Sequence, residues 1–464
     1  MNNTKLYASQ ILLSDSEQNS SWQQDKTLHI ENGIIVAISD GKDADAEEVK
    51  GAVIPGMVNC HSHAFQRGFA GFSEQGSEGQ DSFWTWRKIM YQFLDNISLE
   101  QAQIIAEQLY IEMLQAGYTR VAEFHYLHHD KDGGNFEKLS AMAEAIFKAA
   151  SNTGIGLTML PVMYRFSGFG PAPAVDGQKR FINSIEQFNQ LVTDCFGLAK
   201  QYSNTNVGIA PHSLRAVDKE SLQAAVAHVR GLDNIAPIHI HISEQQKEVD
   251  DCLQHYGERP VQWLLNNMTL DQHWCLIHAT HINEQEIDGI IATKAIAGIC
   301  PTTEANLGDG IFPTTEFMAK GGNVAIGSDS HISVSAIEEL RLLEYSQRLI
   351  KQQRAILANT STPSVGKNLW CHTARAGALS TSSNTGVLAL GKQADLLVLN
   401  EQQTRLYANK PQYLLDSMMF ASQRSPIANV MVNGVWQIKN GAHKLQTISA
   451  DAFAKVLQQL GGNQ

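Results

Sequence analysis

Eight short apolar segments recur along the middle of this 464-residue chain, and stretches with helical periodicity separate them. The segments are residues 53–58, 120–124, 156–162, 207–211, 236–242, 273–277, 295–300 and 323–327. Such an alternation of strand and helix is typical of a parallel sheet. The eight repeats predict a closed (β/α)8 barrel of the TIM type, which we favour over an open doubly wound sheet.

Polar or ionisable residues follow nearly all of these segments. They are, in chain order, His61 and His63, His125 and Tyr126, Tyr164 and Arg165, His212, Glu244, His278, Glu304 and Asp329. Because the carboxyl ends of barrel strands meet at one mouth, we expect these side chains to converge there. The chain therefore predicts a polar site built by several loops at one end of the barrel.

The two ends of the chain differ from the middle. Residues 27–36 and residues 430–436 both read as strand pairs, and each contains an Asn-Gly turn signal, at Asn32-Gly33 and Asn433-Gly434. This pattern predicts a small β-sandwich domain assembled from both termini. The expected division is residues 1–55 and 386–464 for that domain, which includes a C-terminal helix, and residues 56–385 for the barrel.

Charge and motifs argue against several classes of protein. A formal net charge of −12 disfavours nucleic acid and anionic membranes as partners, although a small anion would feel only the local site. The sequence has no G-x-G-x-x-G loop and no G-x-S-x-G elbow, which disfavours nucleotide cofactors and serine hydrolases. It also has no apolar run of about 18 residues, as a membrane span requires.

The expected compartment follows from the first residues and the cysteines. Residues 1–15 lack the basic and apolar regions of a secretory signal. The six cysteines are scattered without a C-x-x-C pair, and several lie in apolar runs, so we expect buried free thiols rather than disulfides. Both features predict a cytoplasmic protein.

A metal site is the first chemical hypothesis. His61 and His63 lie two apart at the end of a strand, so their side chains share a face and lie roughly 6–7 Å apart along it. Such a pair is compatible with a metal site or with two ordinary polar residues. With His241 and Asp329 it offers three imidazoles and a carboxylate, a set suited to Zn²⁺ with one position open for water. His239 is the alternative to His241, and we expect it to be packed or supporting.

The same mouth carries residues suited to proton transfer. A divalent ion lowers the pKa of bound water from 15.7 to about 7, and Asp329 can take the proton of that water. Glu244 can pass a proton to a leaving amine, although a solvated helix start would also explain it. His278 can stabilise a tetrahedral intermediate, with His281 as the alternative. The fourth segment offers no lysine that could bridge two metal ions, so we expect a single metal ion.

The motif set resembles the amidohydrolase superfamily, on its deaminase side. It comprises the H-x-H strand, the H-x-x-E that begins at His241, the sixth-strand His278, and Ser328-Asp329, inside a barrel flanked by β segments. The resemblance covers roughly residues 1–450. These motifs are shared by guanine, cytosine and adenosine-type deaminases and by chlorohydrolases, so they predict a metal-dependent hydrolase without selecting its substrate.

Five longer stretches resemble the formimidoylglutamate deiminase family of bacterial histidine degradation. They are residues 61–67, 83–87, 123–126, 211–215 and 239–245, and none departs from the family pattern at a functional position. The resemblance implies the metal ligands His61, His63, His241 and Asp329. It implies catalytic roles for Glu244, His278 and Asp329. It also implies the substrate-binding residues Gln66, Arg87, Tyr126, His212 and Arg215.

The implied substrate agrees with the residues. N-formimidoyl-L-glutamate carries two carboxylates, and Arg87 and Arg215 can each make bidentate contacts to one. Arg87 is also compatible with simple surface packing over Trp84 or Trp86. The resemblance implies release of ammonia and N-formyl-L-glutamate by a homodimer. The alternatives are a guanine-type aminohydrolase and a non-catalytic scaffold. The metal is expected to be Zn²⁺, with Fe²⁺ as the alternative, and residues 71–79 are expected to close over the substrate.

Overall fold

The computed structural model describes residues 3–15, 19–72, 74, 83–404, 410–422 and 426–461. The strands of these residues are β1 (Asn3–Ser14), β2 (Ser20–Glu31), β3 (Ile34–Asp40), β4 (Glu47–Val49), β5 (Val53–Pro55), β6 (Met57–Ser62), β7 (Tyr118–His125), β8 (Gly156–Met163), β9 (Thr205–Val207), β10 (Ala210–Pro211), β11 (Ile238–Ile242), β12 (Trp274–His278), β13 (Ile296–Ile299), β14 (Asn323–Ile326), β15 (Leu396–Leu399), β16 (Ile427–Val432), β17 (Val435–Lys439) and β18 (Ala442–His443).

The α-helices of the same ranges are α1 (Phe83–Leu94), α2 (Leu99–Gln115), α3 (Ala141–Thr153), α4 (Ile185–Ala199), α5 (Lys219–Leu232), α6 (Gln246–Tyr256), α7 (Pro260–Asn267), α8 (Glu284–Thr293), α9 (Pro301–Leu307), α10 (Thr314–Ala319), α11 (Ala336–Lys351), α12 (Val365–Ser380), α13 (Glu401–Thr404), α14 (Leu414–Phe420) and α15 (Gln446–Gly461). Helices α2, α4 and α8 each begin with a capping box, in which a polar side chain before the helix and a Gln or Glu three residues later satisfy each other's backbone N–H groups.

The middle of the chain forms the predicted (β/α)8 barrel. Strands β6, β7 and β8 pair in parallel with β9 and β10, and strands β11 to β14 form a second parallel set. Backbone bridges join the two sets, from Ile209 to Ile238 on one side and from Ser62 to Asp329 on the other. Every residue of β7 and β8 is buried, as expected for strands that are covered on both faces. The fold prediction is confirmed.

The fourth barrel strand is broken into two pieces, β9 and β10, that both pair with β8. Gly208 lies in the break. A Cβ placed there would come within 2.1 Å of the carbonyl oxygen of Pro237 and 2.8 Å of the Leu160 side chain. The close approach of these neighbouring backbones requires glycine at this position.

The two chain ends build one β domain, as predicted. Its strands form a single hydrogen-bonded sheet in the order β18-β17-β16-β15-β5-β1-β2-β3, with β4 paired to β1. Apolar side chains from the start and the end of the chain, including Leu6, Ile11, Leu396 and Met431, form one buried cluster of this domain. The division at residues 55 and 386 stays a prediction.

Helix α15 returns from the β domain to the barrel. Its buried Val456 and Leu460 join the apolar cluster that contains Phe93 and Ile105, so the end of the described chain is fixed against α1 and α2. Among the described residues, no helix is long and apolar enough to cross a membrane.

Candidate active site

The site is formed where the barrel strands end, and the backbone there is strained. Ser243, His278 and Asp329 have φ values of 51°, 67° and 47°, which is the left-handed region that non-glycine residues rarely adopt. Each lies at or just beyond the end of β11, β12 or β14. Strain of this kind persists where the surrounding structure holds it, and it is concentrated at functional sites.

Four predicted metal ligands lie together in the barrel mouth. The Nε2 atoms of His61 and His63 are each 3.3 Å from Oδ1 of Asp329. The Nε2 atom of His241 is 3.0 Å from Nε2 of His61. All four side chains are buried. Ligand atoms of His61, His63 and Asp329 lie within 4.8 Å of one another, and those of His61 and His241 form a second such group with His278. Because the two groups share His61, the four side chains lie around one small volume, as a single metal ion requires.

The tautomers of two histidines fit this role. Nδ1 of His63 donates to the carbonyl oxygen of Phe124 at 2.9 Å, and Nδ1 of His241 donates to the carbonyl oxygen of His212 at 3.0 Å. Burial lowers the pKa of both imidazoles, so each is neutral and its Nε2 carries a bare lone pair. In His63 that lone pair faces a carboxylate oxygen, a repulsive arrangement that a cation between them relieves. The donor set therefore fits a divalent metal ion.

Asn59 fixes the first and eighth strands relative to each other. Its Oδ1 accepts hydrogen bonds from the backbone N–H groups of His61 and Ser328, at 3.3 and 3.1 Å. Its Nδ2 donates to Oγ of Ser328 at 2.6 Å. One buried amide thus positions the backbones that carry three of the four candidate ligands.

Glu123 supports the same strand from the other side. Its carboxylate accepts hydrogen bonds from Oγ of Ser62 and from the backbone N–H of Ala64, both at 2.7 Å, and from the hydroxyl of Tyr110 at 3.0 Å. Burial nevertheless raises the pKa of Glu123 to about 7. The residues on both sides of His63 are therefore held by one buried side chain.

Glu244 and His278 face each other beside the ligands. Oε1 of Glu244 lies 3.9 Å from Nε2 of His278, and the same nitrogen lies 3.8 Å from Oδ2 of Asp329. Burial raises the pKa of Glu244 to about 7. Burial alone would lower the pKa of His278, but the carboxylates around it raise the pKa to about 10. Glu244 can therefore gain and lose a proton near neutral pH.

These groups open into a cavity of about 510 Å³, a volume that includes space open to solvent. The cavity is lined by His63, Gln66, Trp86, Arg87, Met90, Tyr91, Tyr126, Tyr164, Phe181, His212, Arg215, His241, Glu244, His278, Leu307 and Asp329. All five predicted substrate-binding residues are among them.

The two arginines are held in different ways. Arg87, on α1, donates through Nε to the hydroxyl of Tyr91 and through Nη2 to the hydroxyl of Tyr164 at 2.7 Å. Arg215 lies 3.9 Å from Glu244 and stacks on Trp84, with its guanidinium carbon 5.6 Å from the ring centre. Both cations are fixed by aromatic side chains at the wall of the cavity.

Neutral polar groups line the rest of this wall. Nε2 of Gln66 donates to the hydroxyl of Tyr126 at 3.0 Å, and the buried Oε1 of Gln66 has no hydrogen-bond partner among the described residues. The imidazole of His212 hydrogen-bonds with Oγ of Ser213 at 3.1 Å. The cavity thus offers neutral donors and acceptors beside the two cations.

The remaining predicted residues lie at the edge of the site or outside it. His239 is buried below the mouth and donates from Nε2 to the carbonyl oxygen of Ser380 at 2.7 Å. His281 hydrogen-bonds to the carbonyl oxygen of Asp309 at 2.8 Å and does not line the cavity. Most of residues 71–79, predicted to close over the substrate, lie outside the described residues.

Several residues of the site had no role in the predictions made from the sequence. Tyr91 and Tyr164 hold Arg87, and Gln178 donates to the hydroxyl of Tyr164 at 2.9 Å. Glu304 accepts a hydrogen bond from Nδ1 of His278 at 3.2 Å. Of these residues, only Tyr164 and Glu304 could have been found from the sequence, because each follows a strand segment.

Comparison with known proteins defines the class. A model of the amidohydrolase family matches residues 52–436, which cover the whole barrel and part of the β domain. The chain belongs to this family.

The chain is also similar to individual proteins and solved structures. The chain is 46% identical over 430 residues to a formimidoylglutamate deiminase of Pseudomonas aeruginosa, covering 92% of this chain and 94% of that protein. It is similar to the crystal structure of an amidohydrolase from Brucella melitensis, with a TM-score of 0.92, 43% identity, and 98% and 99% of the two chains covered. An adenosine deaminase from Xanthomonas campestris with bound zinc shares the fold, with a TM-score of 0.81, 18% identity, and 99% of both chains covered.

Proposed function

We propose that this protein hydrolyses N-formimidoyl-L-glutamate to N-formyl-L-glutamate and ammonia, using one divalent metal ion, Zn²⁺. The observation that carries the proposal is the shared cavity of Arg87, Arg215 and the Glu244–His278 pair. Two fixed cations suit a substrate with two carboxylates, and they lie beside groups suited to hydrolysis. The formimidoylglutamate deiminase that is 46% identical supports the same substrate.

Binding places the reacting carbon. In the proposed complex, Arg87 and Arg215 hold the two carboxylates of the substrate by charge-assisted hydrogen bonds. Gln66, Tyr126 and His212 supply neutral contacts along the chain of the substrate. The formimidoyl end is then directed toward Glu244, since that residue lies at the inner end of the cavity with the candidate metal ligands. This positioning lowers the entropic part of the barrier.

Proton transfer follows from the geometry of three residues. When bound, the divalent cation lowers the pKa of a water molecule and so supplies hydroxide at neutral pH. Asp329 accepts the proton that this water loses. His278, through Nε2, stabilises the oxygen of the tetrahedral carbon. Glu244 delivers one proton to the departing nitrogen and Asp329 returns the proton that it accepted, so this nitrogen gains two protons and leaves as ammonia. The hydroxyl group of the tetrahedral carbon passes its proton to Glu244, and its carbon–oxygen single bond becomes the C=O of the formyl group.

His61, His63, His241 and Asp329 are the residues proposed to hold the ion. Their three imidazoles and one carboxylate suit Zn²⁺. Zinc in a deaminase of the same fold supports that choice. The metal content of purified protein, measured by mass spectrometry, tests it: we expect about one Zn²⁺ per chain. A content near zero in active protein would contradict the proposal.

The substrate is tested by ammonia release from zinc-loaded protein with N-formimidoyl-L-glutamate, with guanine and N-formyl-L-glutamate run beside it. We expect rapid release from the first compound alone. Release from guanine without release from formimidoylglutamate would support a heterocyclic aminohydrolase instead. No release from any compound, together with a metal content near zero, would support a non-catalytic scaffold.

The family resemblance also supports a cytoplasmic homodimer. Analytical ultracentrifugation tests the assembly, and we expect a species of twice the mass of one chain. Fractionation of cells that express the protein tests its location, and we expect it with the cytoplasmic fraction.

A further inference from the structure

We propose that Glu304 is a positioning residue for the reaction, holding the imidazole of His278 in the orientation that directs Nε2 at the substrate. This inference rests on the proposed deimination and adds to it a residue outside the cavity wall. Glu304 lies in α9, beyond the end of β13, whereas His278 ends β12. The contact therefore joins two neighbouring loops of the barrel mouth.

The contact is specific and buried. Oε1 of Glu304 lies 3.2 Å from Nδ1 of His278, and both side chains are almost fully buried. The same Oε1 accepts a hydrogen bond from the backbone N–H of Cys300 at 2.8 Å. That second bond fixes the carboxylate independently of His278. Glu304 is thus a rigid support, since its position does not depend on the ring that it holds.

The role of each ring nitrogen of His278 follows from this contact, because Nδ1 is occupied as the donor to Glu304 and Nε2 is left to face the substrate. A carboxylate has no proton to donate, so the proton in the hydrogen bond belongs to Nδ1. The other nitrogen, Nε2, is then the one that faces Glu244 and Asp329, at 3.9 and 3.8 Å. A carboxylate behind an imidazole commonly fixes which nitrogen takes part in chemistry.

The backbone of His278 gives Glu304 a second role. His278 has a φ of 67°, a conformation that costs free energy and has to be held by its surroundings. The hydrogen bond from its ring to Glu304 is one of the contacts that hold it. Loss of the carboxylate would therefore release the orientation of the ring.

A metal ion shared by His278, Cys300 and Glu304 is the competing explanation, because their donor atoms cluster. The structure favours hydrogen bonding. The carboxylate of Glu304 already receives two donors, and burial raises the pKa of the Cys300 thiol well above its ordinary value, which disfavours the thiolate that binds metal. We therefore assign Glu304 to positioning.

A second cavity makes the proposal testable by chemical rescue. Glu304 lines a cleft of about 810 Å³ between α9 and α11, together with Pro301 and Gly308. Glu304 lines this cleft, whereas its partner His278 lines the substrate cavity. Truncation of Glu304 would leave a hole that formate, a small carboxylate, can reach through this cleft.

The experiment compares E304A and E304Q with wild type in steady-state kinetics on formimidoylglutamate. We expect kcat to fall about 10- to 100-fold, as is typical for loss of a residue that orients a reacting group, while KM changes less than about twofold because the arginines are untouched. Formate should restore part of the kcat of E304A. Wild-type kcat in both variants would overturn the proposal.

Glu339 supplies the matched control. It is a buried carboxylate that holds the same helix, accepting a hydrogen bond from the backbone N–H of Thr302 at 2.9 Å, but it does not contact His278. We expect E339Q to lower thermal stability without the selective loss of kcat and without rescue by formate. Equal losses of kcat in E339Q and E304Q, with no formate rescue in E304A, would reduce Glu304 to a structural role and overturn the proposal.

A measurement without substrate separates this inference from the proposed function. In protein with ¹⁵N-labelled histidine, the signals of His278 can be assigned by their loss in H278Q. We expect a hydrogen-bonded proton on Nδ1 in wild type and a shifted Nδ1 signal in E304Q. An Nδ1 signal that is unchanged in E304Q would overturn the role of Glu304. If this signal shifts in E304Q while wild-type protein releases no ammonia, only the proposed function would be contradicted.

Discussion

Gly327 lies directly against His61, and the contact leaves no space for a side chain between them. A Cβ added at Gly327 would come 2.7 Å from Cβ of His61 and 3.0 Å from Sγ of Cys300. Ordinary Cβ atoms do not approach so closely. The end of β14 is thus packed on the strand that presents a candidate metal ligand, and metal binding should be sensitive to a single methyl group here.

We expect G327A to lose metal affinity, because His61 would have to move from its place beside Asp329. Overpacking of this kind typically costs about 1–3 kcal/mol, which corresponds to about a 5- to 150-fold weaker binding if it falls on the metal site. Competition with a zinc-selective chelator measures the change. In G197A, where an added Cβ meets nothing within 4 Å, affinity should match wild type. Equal affinity in both variants would argue against this role of the contact.

E244Q should retain its metal and lose nearly all turnover. The amide preserves the size of the side chain but cannot carry a proton between water and the leaving nitrogen, and such transfer contributes about 10²- to 10⁴-fold to rate. Metal analysis and ammonia release on the same sample provide the measurement. Full activity in E244Q would remove Glu244 from the mechanism.

Replacement of either substrate arginine should raise KM more than it lowers kcat. A hydrogen bond to a charged group contributes about 1.5–3 kcal/mol, so we expect KM to rise about 10- to 100-fold in R87M and in R215M. R165M is the control, because Arg165 hydrogen-bonds to Ser221 and does not line the cavity. An unchanged KM in both cavity variants would exclude recognition of the two carboxylates by these residues.

Replacement of His241 and replacement of His239 should have different effects on the metal content of the protein. H241Q should lose the metal. H239Q should keep it, because His239 is bonded to the carbonyl oxygen of Ser380 rather than facing the cluster. Metal loss in H239Q alone would reverse the assignment.

Because the imidazole of His239 is buried, we expect the stability of the fold to depend on pH. Burial lowers the pKa of His239 to about 4 from an ordinary value of 6.5, so the unfolded chain binds the proton first as pH falls. The contribution of neutral His239 to the free energy of unfolding is fully present above pH 6.5. It falls by about 3 kcal/mol in all as the pH drops from 6.5 to about 4. Thermal midpoints at pH 7.5 and pH 5 measure this. H239Q, which cannot titrate, should show a smaller fall than wild type; an identical fall would exclude His239 as its source.

Much of the site could be predicted because the order of the strands along the chain determines their positions in the barrel. His61, His241, His278 and Asp329 are far apart in sequence, but each ends a strand, and strand ends meet at one mouth. The apolar segments alone were enough to predict the barrel. The same logic explains why His239, two residues earlier on β11, lies deeper in the barrel than His241.

The remaining contacts depend on tertiary structure that no local pattern specifies. Gln178 comes from a loop with no strand signal, although it supports Tyr164 and through it Arg87. The partner of His278 could have been any polar residue of three neighbouring loops. The break in the fourth strand likewise depends on how closely Pro237 approaches Gly208, which only the folded barrel determines.

The most direct test of the account identifies both products by proton NMR after wild-type, zinc-loaded protein has consumed N-formimidoyl-L-glutamate. If the proposed mechanism is correct, Glu244 delivers its proton to the terminal nitrogen, and the spectrum contains N-formyl-L-glutamate with an equal amount of ammonia in a parallel assay. Formamide and glutamate instead, or an unchanged substrate in protein of full metal content, would contradict the central claim.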